Sequence, residues 1–159
     1  MKYLPVGLDI RGRECLVVGG GAIGLRKVQN LLRAGGQVTL VSLESTEELA
    51  HMATSGDILW RQEGYRETHL HGVFLAVAAT DDEGVNSRVV DGAKRRGILV
   101  CDASSSDRSQ LIFGALHQGD GVTVAVFTDG ESPSLARTTR DRIATFVSPD
   151  SKPKSSASE

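Results

Sequence analysis

Three glycines at fixed spacing are the residues of this sequence best suited to hold an anionic ligand. They follow an apolar run and open a segment with the apolar spacing of a helix. In such a setting the first glycine permits a tight turn, the second lets the backbone approach a pyrophosphate, and the third allows close helix–strand packing. Free N–H groups and the helix dipole then face the ligand. The predicted dinucleotide contacts at this turn are Gly19, Gly21, Ala22, Ile23 and Gly24.

The ends of two further predicted strands supply the other expected cofactor contacts. Val41 and Ser42 end the second strand, and Ala79 and Thr80 end the most apolar run of the chain. Ligands of open α/β sheets lie beyond the carboxyl ends of the strands, so we expect these residues to flank a bound dinucleotide. Many such sites carry Asp or Glu at the end of the second strand to hold the ribose hydroxyls. Ser42 stands there in this chain, which leaves the choice between NAD and NADP open.

Other polar side chains near the predicted site have structural interpretations. Thr80 or Asp81 is expected to cap the helix that follows the apolar run. Asn86, one turn inside that helix, is expected to be exposed. Arg26 and Lys27, early in the first helix, are expected on its solvated face rather than on a phosphate.

The elements that must position these residues alternate between apolar strands and amphipathic helices. This alternation predicts an α/β fold, a Rossmann-like doubly wound parallel sheet followed by a small α+β dimerisation segment. The predicted domains are 1–113 for dinucleotide binding, 114–147 for dimerisation and 148–159 as a disordered tail. The predicted strands are 15–18, 37–42, 58–61, 73–79, 98–101 and 122–128, and the predicted helices are 22–34, 45–55, 82–96 and 134–146.

Composition limits the possible partners. Lys and Arg number 18 against 20 Asp and Glu, so the charge gives no reason to expect nucleic acid or a membrane surface. The longest apolar run, 73–79, is far shorter than a membrane span, and no signal peptide is recognisable, so we expect the cytoplasm. Cys15 and Cys101 lie in apolar runs and are expected to be buried thiols. His69 and His71 are expected in a solvated loop without a third ligand, so no metal site is predicted.

Three stretches, in order and covering roughly residues 3–147, resemble the N-terminal module of siroheme synthases, the precorrin-2 dehydrogenase family. The first includes the glycine turn, the second the end of the most apolar strand, and the third the start of the last helix. The stretches are Leu4–Arg13 with Leu16–Gly21, Ala78–Asp82 with Val85 and Asn86, and Ser132–Arg137 with Arg140.

The resemblance implies an NAD-dependent oxidation of precorrin-2 to sirohydrochlorin by a homodimer. The family dimerises through the segment after the Rossmann domain, here about 114–147. Ser132 opens a helix whose N-terminus, together with Arg137, would meet the carboxylates of the tetrapyrrole. His117, in the same segment, is a further candidate for the substrate site because it could assist proton transfer.

The resemblance also identifies a departure at the expected acid/base. Family members commonly carry Asn-x-x-Asp after the last Rossmann strand, and the aligned residues here are Cys101 and Ser104. A serine is a poor general base without an activating partner. Asp102 and Asp107 are the nearby substitutes, so the candidate catalytic residues are Ser104, Asp102 and Asp107. The alternative is that both aspartates are surface-loop carboxylates.

Two alternative functions follow from the same resemblance. Some family members insert iron, so a bifunctional or chelatase-biased sirohydrochlorin ferrochelatase acting with Fe²⁺ or Co²⁺ is one alternative. A catalytically impaired NAD-binding subunit is the other. Family members usually continue into a C-terminal helical region, whereas this sequence ends in a polar tail, which predicts a shortened chain or a more open site.

Overall fold

The computed structural model describes residues 2–119 and 121–147. The chain divides into two compact units: Val6–Ile112, and Phe113–Glu159 together with Met1–Pro5. The predicted disordered tail at 148–159 lies outside the described residues. Within those residues, no helix combines the length and the apolar character needed to cross a membrane.

The first unit is built on a sheet of five parallel strands in the order β3-β2-β1-β4-β5. Helices cover the sheet, so its central strands are buried on both faces, and their buried residues are all Val, Leu, Ala or Cys. This confirms the expected Rossmann-like parallel fold. The strands are β1 Glu14–Val18, β2 Gln37–Val41, β3 Leu59–Arg61, β4 Leu75–Ala78 and β5 Leu99–Asp102.

The helices of this unit follow the predicted segments closely. They are α1 Ala22–Arg33, α2 Glu47–Thr54 and α3 Glu83–Arg95, with a short 3-10 helix at Glu67–Leu70. Their buried stripes pack on the sheet around a core cluster. Its fully buried members include Leu16, Val41, Ala76, Val89 and Val100.

The cap of α3 differs from the expectation. Asp82 caps the helix, since its Oδ1 accepts from the Val85 N–H at 3.0 Å. The predicted cap, Thr80 or Asp81, is wrong because the helix begins later. The Thr80 hydroxyl is instead bonded to the Asp82 carbonyl and to the Asn86 side chain.

The strand order reverses direction between β1 and β4. The chain moves outward through β2 and β3, then crosses back to place β4 on the other side of β1. Crossovers on either side of such a point leave a crevice at the carboxyl ends of the two strands. Gly19 follows β1 there and Ala79 follows β4, so the predicted site lies at the switch point of the sheet.

The second unit pairs β6 (Ala115–Gly119) with β7 (Val122–Val126) in antiparallel fashion and adds α4 (Pro133–Val147). Arg140 Nη1 donates to the Leu116 carbonyl at 2.9 Å and so ties α4 to β6. Several large apolar side chains of this unit remain exposed. They are Leu116, Val122, Leu135 and Phe146.

Lys27 is buried, with 8% of its surface exposed, so its expected place on a solvated helix face is wrong. The buried residues of α1 are Gly24, Lys27, Val28 and Leu31, which form a single stripe at helical spacing. Burial lowers the pKa of Lys27 below its usual value, and the nearby Arg26 acts in the same direction. The charged ammonium is therefore less stable in the folded protein than in the unfolded chain.

We expect Lys27→Met to raise the free energy of unfolding, relative to the wild type, more at pH 7 than at pH 10, because the variant lacks the buried amine whose charged form is disfavoured by burial. Since the folded pKa lies below 10.5, the wild-type penalty is complete below the folded pKa and disappears as pH rises to 10.5. Urea unfolding from pH 7 to 10 should therefore show the two proteins converging. Lys94→Met, at an exposed site on α3, is the control and should bring no gain; an equal gain there would contradict the interpretation.

Candidate functional site

The glycine turn brings three backbone segments into contact. Gly19 has φ of +118°, and a Cβ added to it would lie 2.2 Å from the Ala79 carbonyl oxygen. A Cβ on Gly24 would lie 2.0 Å from the Gly19 carbonyl oxygen. Side chains at either position would force β1, β4 and α1 apart. These two glycines therefore hold the start of α1 directly over the end of β1, as predicted for the first and third members of the motif.

Gly21 has a different environment. Apart from Gly21 and its two chain neighbours, no atom of the described residues lies within 4 Å of the place a Cβ would take, so this position faces open space. Gly21 is also the N-cap of α1, where it makes no side-chain hydrogen bond to the helix. The first turn of α1 contains no acidic residue. The first N–H groups of α1, at Ala22 and Ile23, have no partner within their own helix. This open, uncapped and positive helix end fits the diphosphate of a dinucleotide.

Gly20 is a structural requirement that the sequence interpretation missed. A Cβ here would lie 2.1 Å from the Glu44 carbonyl oxygen, and the Gly20 carbonyl accepts from Thr46 N–H at 2.9 Å. The turn therefore packs on the loop between β2 and α2. A third consecutive glycine was the available signal, since the standard motif does not require one at this place.

The end of β2 is arranged around Ser42. Trp60 Nε1 donates to the Ser42 hydroxyl oxygen at 3.0 Å, which leaves the hydroxyl hydrogen able to donate to a ligand. The same oxygen lies beside Gly20, 2.8 Å from where its Cβ would be. Val41 is fully buried, and its carbonyl accepts from Gly19 N–H at 3.0 Å, so Val41 positions the turn through its main chain.

The end of β4 is held by Asn86, which is 1% exposed, so the expectation of an exposed Asn86 is wrong. Its Oδ1 accepts from the Thr80 N–H at 3.1 Å and its Nδ2 donates to the Thr80 carbonyl at 2.9 Å. Asn86 lies on the buried stripe of α3 with Val89, Val90 and Ala93. That spacing was visible in the sequence, but the polar residue type led to the opposite assignment.

The end of β5 carries a buried carboxylate. The side chain of Asp102 is 0% exposed, and its Oδ2 accepts from Arg108 Nε at 2.7 Å. Its Oδ1 accepts from the Ser104 N–H at 2.9 Å and from the Ser104 hydroxyl at 2.6 Å. The surface-loop alternative is therefore wrong for Asp102, and Ser104 has the carboxylate partner that the sequence did not reveal.

Arg108 joins this carboxylate to the start of α3. Its Nη2 lies 2.6 Å from Glu83 Oε1 and donates to the Ser104 hydroxyl oxygen at 3.2 Å. One guanidinium thus lies between a buried and an exposed carboxylate. Asp107 is exposed in the same loop and stays a candidate.

The three predicted substrate residues belong to the second unit. Ser132 Oγ accepts from the Leu135 N–H at 3.3 Å, which makes it a cap of α4. Arg137 is exposed on α4, and His117 is half-buried on β6. Their contact with a substrate stays a prediction.

His69 departs from the expected solvated loop, whereas His71 is exposed as expected. His69 has a side chain 9% exposed, with Nδ1 accepting from the Arg66 N–H and Nε2 lying 3.2 Å from Glu63 Oε1. That contact is the main cause that lowers the pKa of Glu63. Over residues 2–119 and 121–147, no group of three or more His, Cys, Asp or Glu is placed to hold a metal ion.

Comparison with known proteins places this geometry in a family. The model of the family described as "Putative NAD(P)-binding" matches residues 6–115. The chain is 39% identical over 147 residues to the siroheme synthase of Nitrosococcus oceani, covering 92% of this chain and 31% of that protein. It is 40% identical over 147 residues to the siroheme synthase of Methylococcus capsulatus, with the same coverage. The chain thus spans about a third of the length of these curated relatives.

A solved structure, SirC, a precorrin-2 dehydrogenase, is similar in both fold and sequence. The TM-score is 0.80 at 30% identity, and the match covers 91% of this chain and 71% of that one.

We expect Gly21→Asp to weaken NAD binding by at least about 100-fold, because a carboxylate facing the diphosphate costs several kcal/mol. The open surroundings of Gly21 mean that the substitution meets no protein atom, so the fold should be retained. Calorimetry with NAD⁺ measures the effect. Gly64→Asp is the matched control, since Gly64 also faces open space without a positive φ; unchanged affinity in Gly21→Asp would remove the site assignment.

We expect Trp60→Phe to weaken NAD binding about 5-fold, because Ser42 loses the indole donor that orients its hydroxyl.

The chain contains one tryptophan. Its fluorescence in the wild type should therefore change on titration with NAD⁺ at the same midpoint that calorimetry gives. A saturating calorimetric signal with unchanged Trp60 emission would mean that the dinucleotide does not reach the end of β2.

Proposed function

Because the chain belongs to the NAD(P)-binding family whose model covers residues 6–115, we propose that it is an NAD-dependent dehydrogenase that oxidises precorrin-2 to sirohydrochlorin. The observation that carries the proposal is the open, uncapped Gly21 turn at the switch point of a fold shared with SirC. The substrate is proposed from the printed name of that neighbour together with the siroheme synthase relatives.

The residues around the switch point are suited to hold the dinucleotide. The N–H groups at the head of α1 would bind the diphosphate, with Gly21 giving the close approach. Ser42 would donate to a ribose hydroxyl, and Ala79 and Thr80 would line the nicotinamide end. Bound NAD supplies a hydride acceptor.

Oxidation of the tetrapyrrole releases a proton as well as a hydride, and Asp102 with Ser104 can manage that proton. Ser104 is an exposed residue, and its hydroxyl lies 2.6 Å from the buried Asp102 Oδ1 and 3.3 Å from Glu83 Oε2, so its hydrogen is directed mainly to Asp102. A substrate proton taken up on the Ser104 Oγ lone pair that Arg108 leaves open can be matched by transfer of the serine proton to Asp102. Asp102 therefore acts as the base in this proposal, Ser104 relays, and Arg108 fixes the carboxylate.

The second unit would bind the substrate and a second copy of the chain. The Arg137 guanidinium is exposed and forms strong paired hydrogen bonds with carboxylates such as those of precorrin-2. Ser132 and His117 are the other proposed substrate residues. The exposed apolar side chains of this unit support a homodimer, since surfaces of this kind are commonly buried by a partner. A cytoplasmic location is part of the same proposal.

Incubation of the pure chain with NAD⁺ and precorrin-2 should give the sirohydrochlorin spectrum and NADH in equal amounts. NAD binding without turnover would instead favour a catalytically impaired NAD-binding subunit. Sirohydrochlorin with Fe²⁺ or Co²⁺ tests the chelatase alternative in the same spectrophotometer.

We expect Asp102→Asn to reduce kcat by about 10²–10⁴-fold, because the amide cannot take up the proton that Ser104 relays. Ser104→Ala should lose turnover to a smaller extent, since water can replace a relay. Asp107→Asn, in the same loop but exposed, is the control and should remain near the wild-type rate. NAD affinity and thermal midpoint establish that each variant is folded. Loss of turnover in Asp107→Asn alone would reassign the base.

A further inference from the structure

The Asn86 side chain contacts the segments that follow two neighbouring strands, β4 and β5. The role inferred for it below rests on the proposed function. Its amide accepts from the Thr80 N–H at 3.1 Å and from the Thr80 hydroxyl at 2.8 Å. It donates to the Thr80 carbonyl at 2.9 Å, and its Nδ2 lies 3.4 Å from Ser104 Oγ. We propose that Asn86 is a positioning residue that fixes the cofactor-facing Thr80 segment and the proton-relaying Ser104 in one arrangement.

The register of the sheet explains why a side chain is needed there. Ala78 pairs with Asp102 at the end of the β4–β5 ladder, and Ala103 N–H still donates to the Ala78 carbonyl at 2.8 Å. Two residues further on, Thr80 and Ser104 would be the next partners. The strands no longer bond to each other there, and the Asn86 amide spans them in place of the next rung.

The chemistry of the amide is specific to asparagine. The oxygen accepts two hydrogen bonds and one hydrogen is donated to the Thr80 carbonyl, while the second hydrogen makes only a long contact, 3.4 Å from Ser104 Oγ. The reversed amide would set its N–H₂ group against the Thr80 N–H, and therefore the network fixes the orientation. Aspartate has the same shape but lacks the donors, whereas leucine lacks both functions.

Burial makes the arrangement rigid. Asn86 shares the inward stripe of α3 with Val89 and Val90, both almost fully buried. A polar group at such a site is destabilising unless it is hydrogen-bonded, and a fully bonded one holds its partners in a single geometry. The consequence is that dinucleotide affinity, through Thr80, and turnover, through Ser104, depend on one side chain that need not contact either substrate.

The first test compares Asn86→Ala with Val89→Ala in the full chain. Val89 lies three residues along the same helix and is 0% exposed, so its truncation destabilises α3 without touching Thr80 or Ser104. Asn86→Ala is expected to weaken NAD binding about 10-fold and to lower kcat about 10-fold or more. Val89→Ala should lower the thermal midpoint but leave both quantities within about 2-fold. Equal effects of the two variants would overturn the positioning role.

A double-mutant cycle distinguishes action through Ser104 from general loss of structure. If Asn86 acts through the serine, Asn86→Ala should lower kcat much less in a Ser104→Ala background, while its effect on NAD affinity persists. Additive losses in kcat would overturn the proposal. If the wild type binds NAD and oxidises precorrin-2 but the losses in kcat are additive in the cycle, only the role of Asn86 is rejected. A wild type without either activity rejects the proposed function and the inference together.

Hydrogen exchange supplies a readout that needs no ligand. The Thr80 amide should be protected in the wild type and in Val89→Ala, and should exchange faster in Asn86→Ala. Asn86→Ser, which buries no charge and leaves a smaller polar group, covers the case in which the alanine variant does not fold. Its hydroxyl is too short to bond to Thr80 and Ser104 together, so the Thr80 amide should exchange faster and turnover should fall. Unprotected Thr80 in the wild type, or full turnover in Asn86→Ser, would overturn the proposal.

Discussion

The close contact between the backbones at Gly19, Ala79 and Gly24 is the constraint on which the proposed dinucleotide site depends. A Cβ at Gly19 or Gly24 would lie 2.2 Å or 2.0 Å from a carbonyl oxygen. Because no side chain intervenes, α1 begins directly above the end of β1, beside β4, and its free N–H groups open into the crevice of the switch point. Gly21 then serves a different purpose, since its lack of a side chain leaves space for a ligand and not for protein.

A polar network beyond the ends of β4 and β5 holds the residues proposed for the chemistry in fixed positions. Beyond Ala79 and Ala103 the ladder between β4 and β5 ends, yet the residues that follow must keep fixed places. Asn86 and Asp102 supply that order from the interior, where competing water is excluded and hydrogen bonds are stronger. The proposed site is therefore positioned by glycines on one side and by buried polar side chains on the other.

The sequence predicted the parts of this fold that depend on local periodicity. Continuous apolar runs identified the buried strands, and the glycine spacing located the turn, because both patterns are consequences of backbone geometry. Lys27 and Asn86 were misplaced although each lies on the buried stripe of its helix. In both cases the polar residue type points to exposure and the helical spacing points to burial. The spacing is the better predictor, because the position of a residue in the helical repeat, and not its polarity, decides which face of the helix it lies on.

The place of Asp102 could not be read from local sequence, because it depends on a charge six residues away. Arg108 folds back to pair with Oδ2, and this pairing allows a carboxylate to lie in the interior. Ser104 aligns with an Asp of the family that this sequence resembles. Its hydroxyl oxygen lies 2.6 Å from the Asp102 carboxylate oxygen Oδ1. A carboxylate enclosed in this way, with both oxygens already accepting hydrogen bonds, is suited to receive one proton through the serine. It is less suited to ligate a metal ion, which needs an oxygen free to approach it, so the arrangement favours dehydrogenation over chelation.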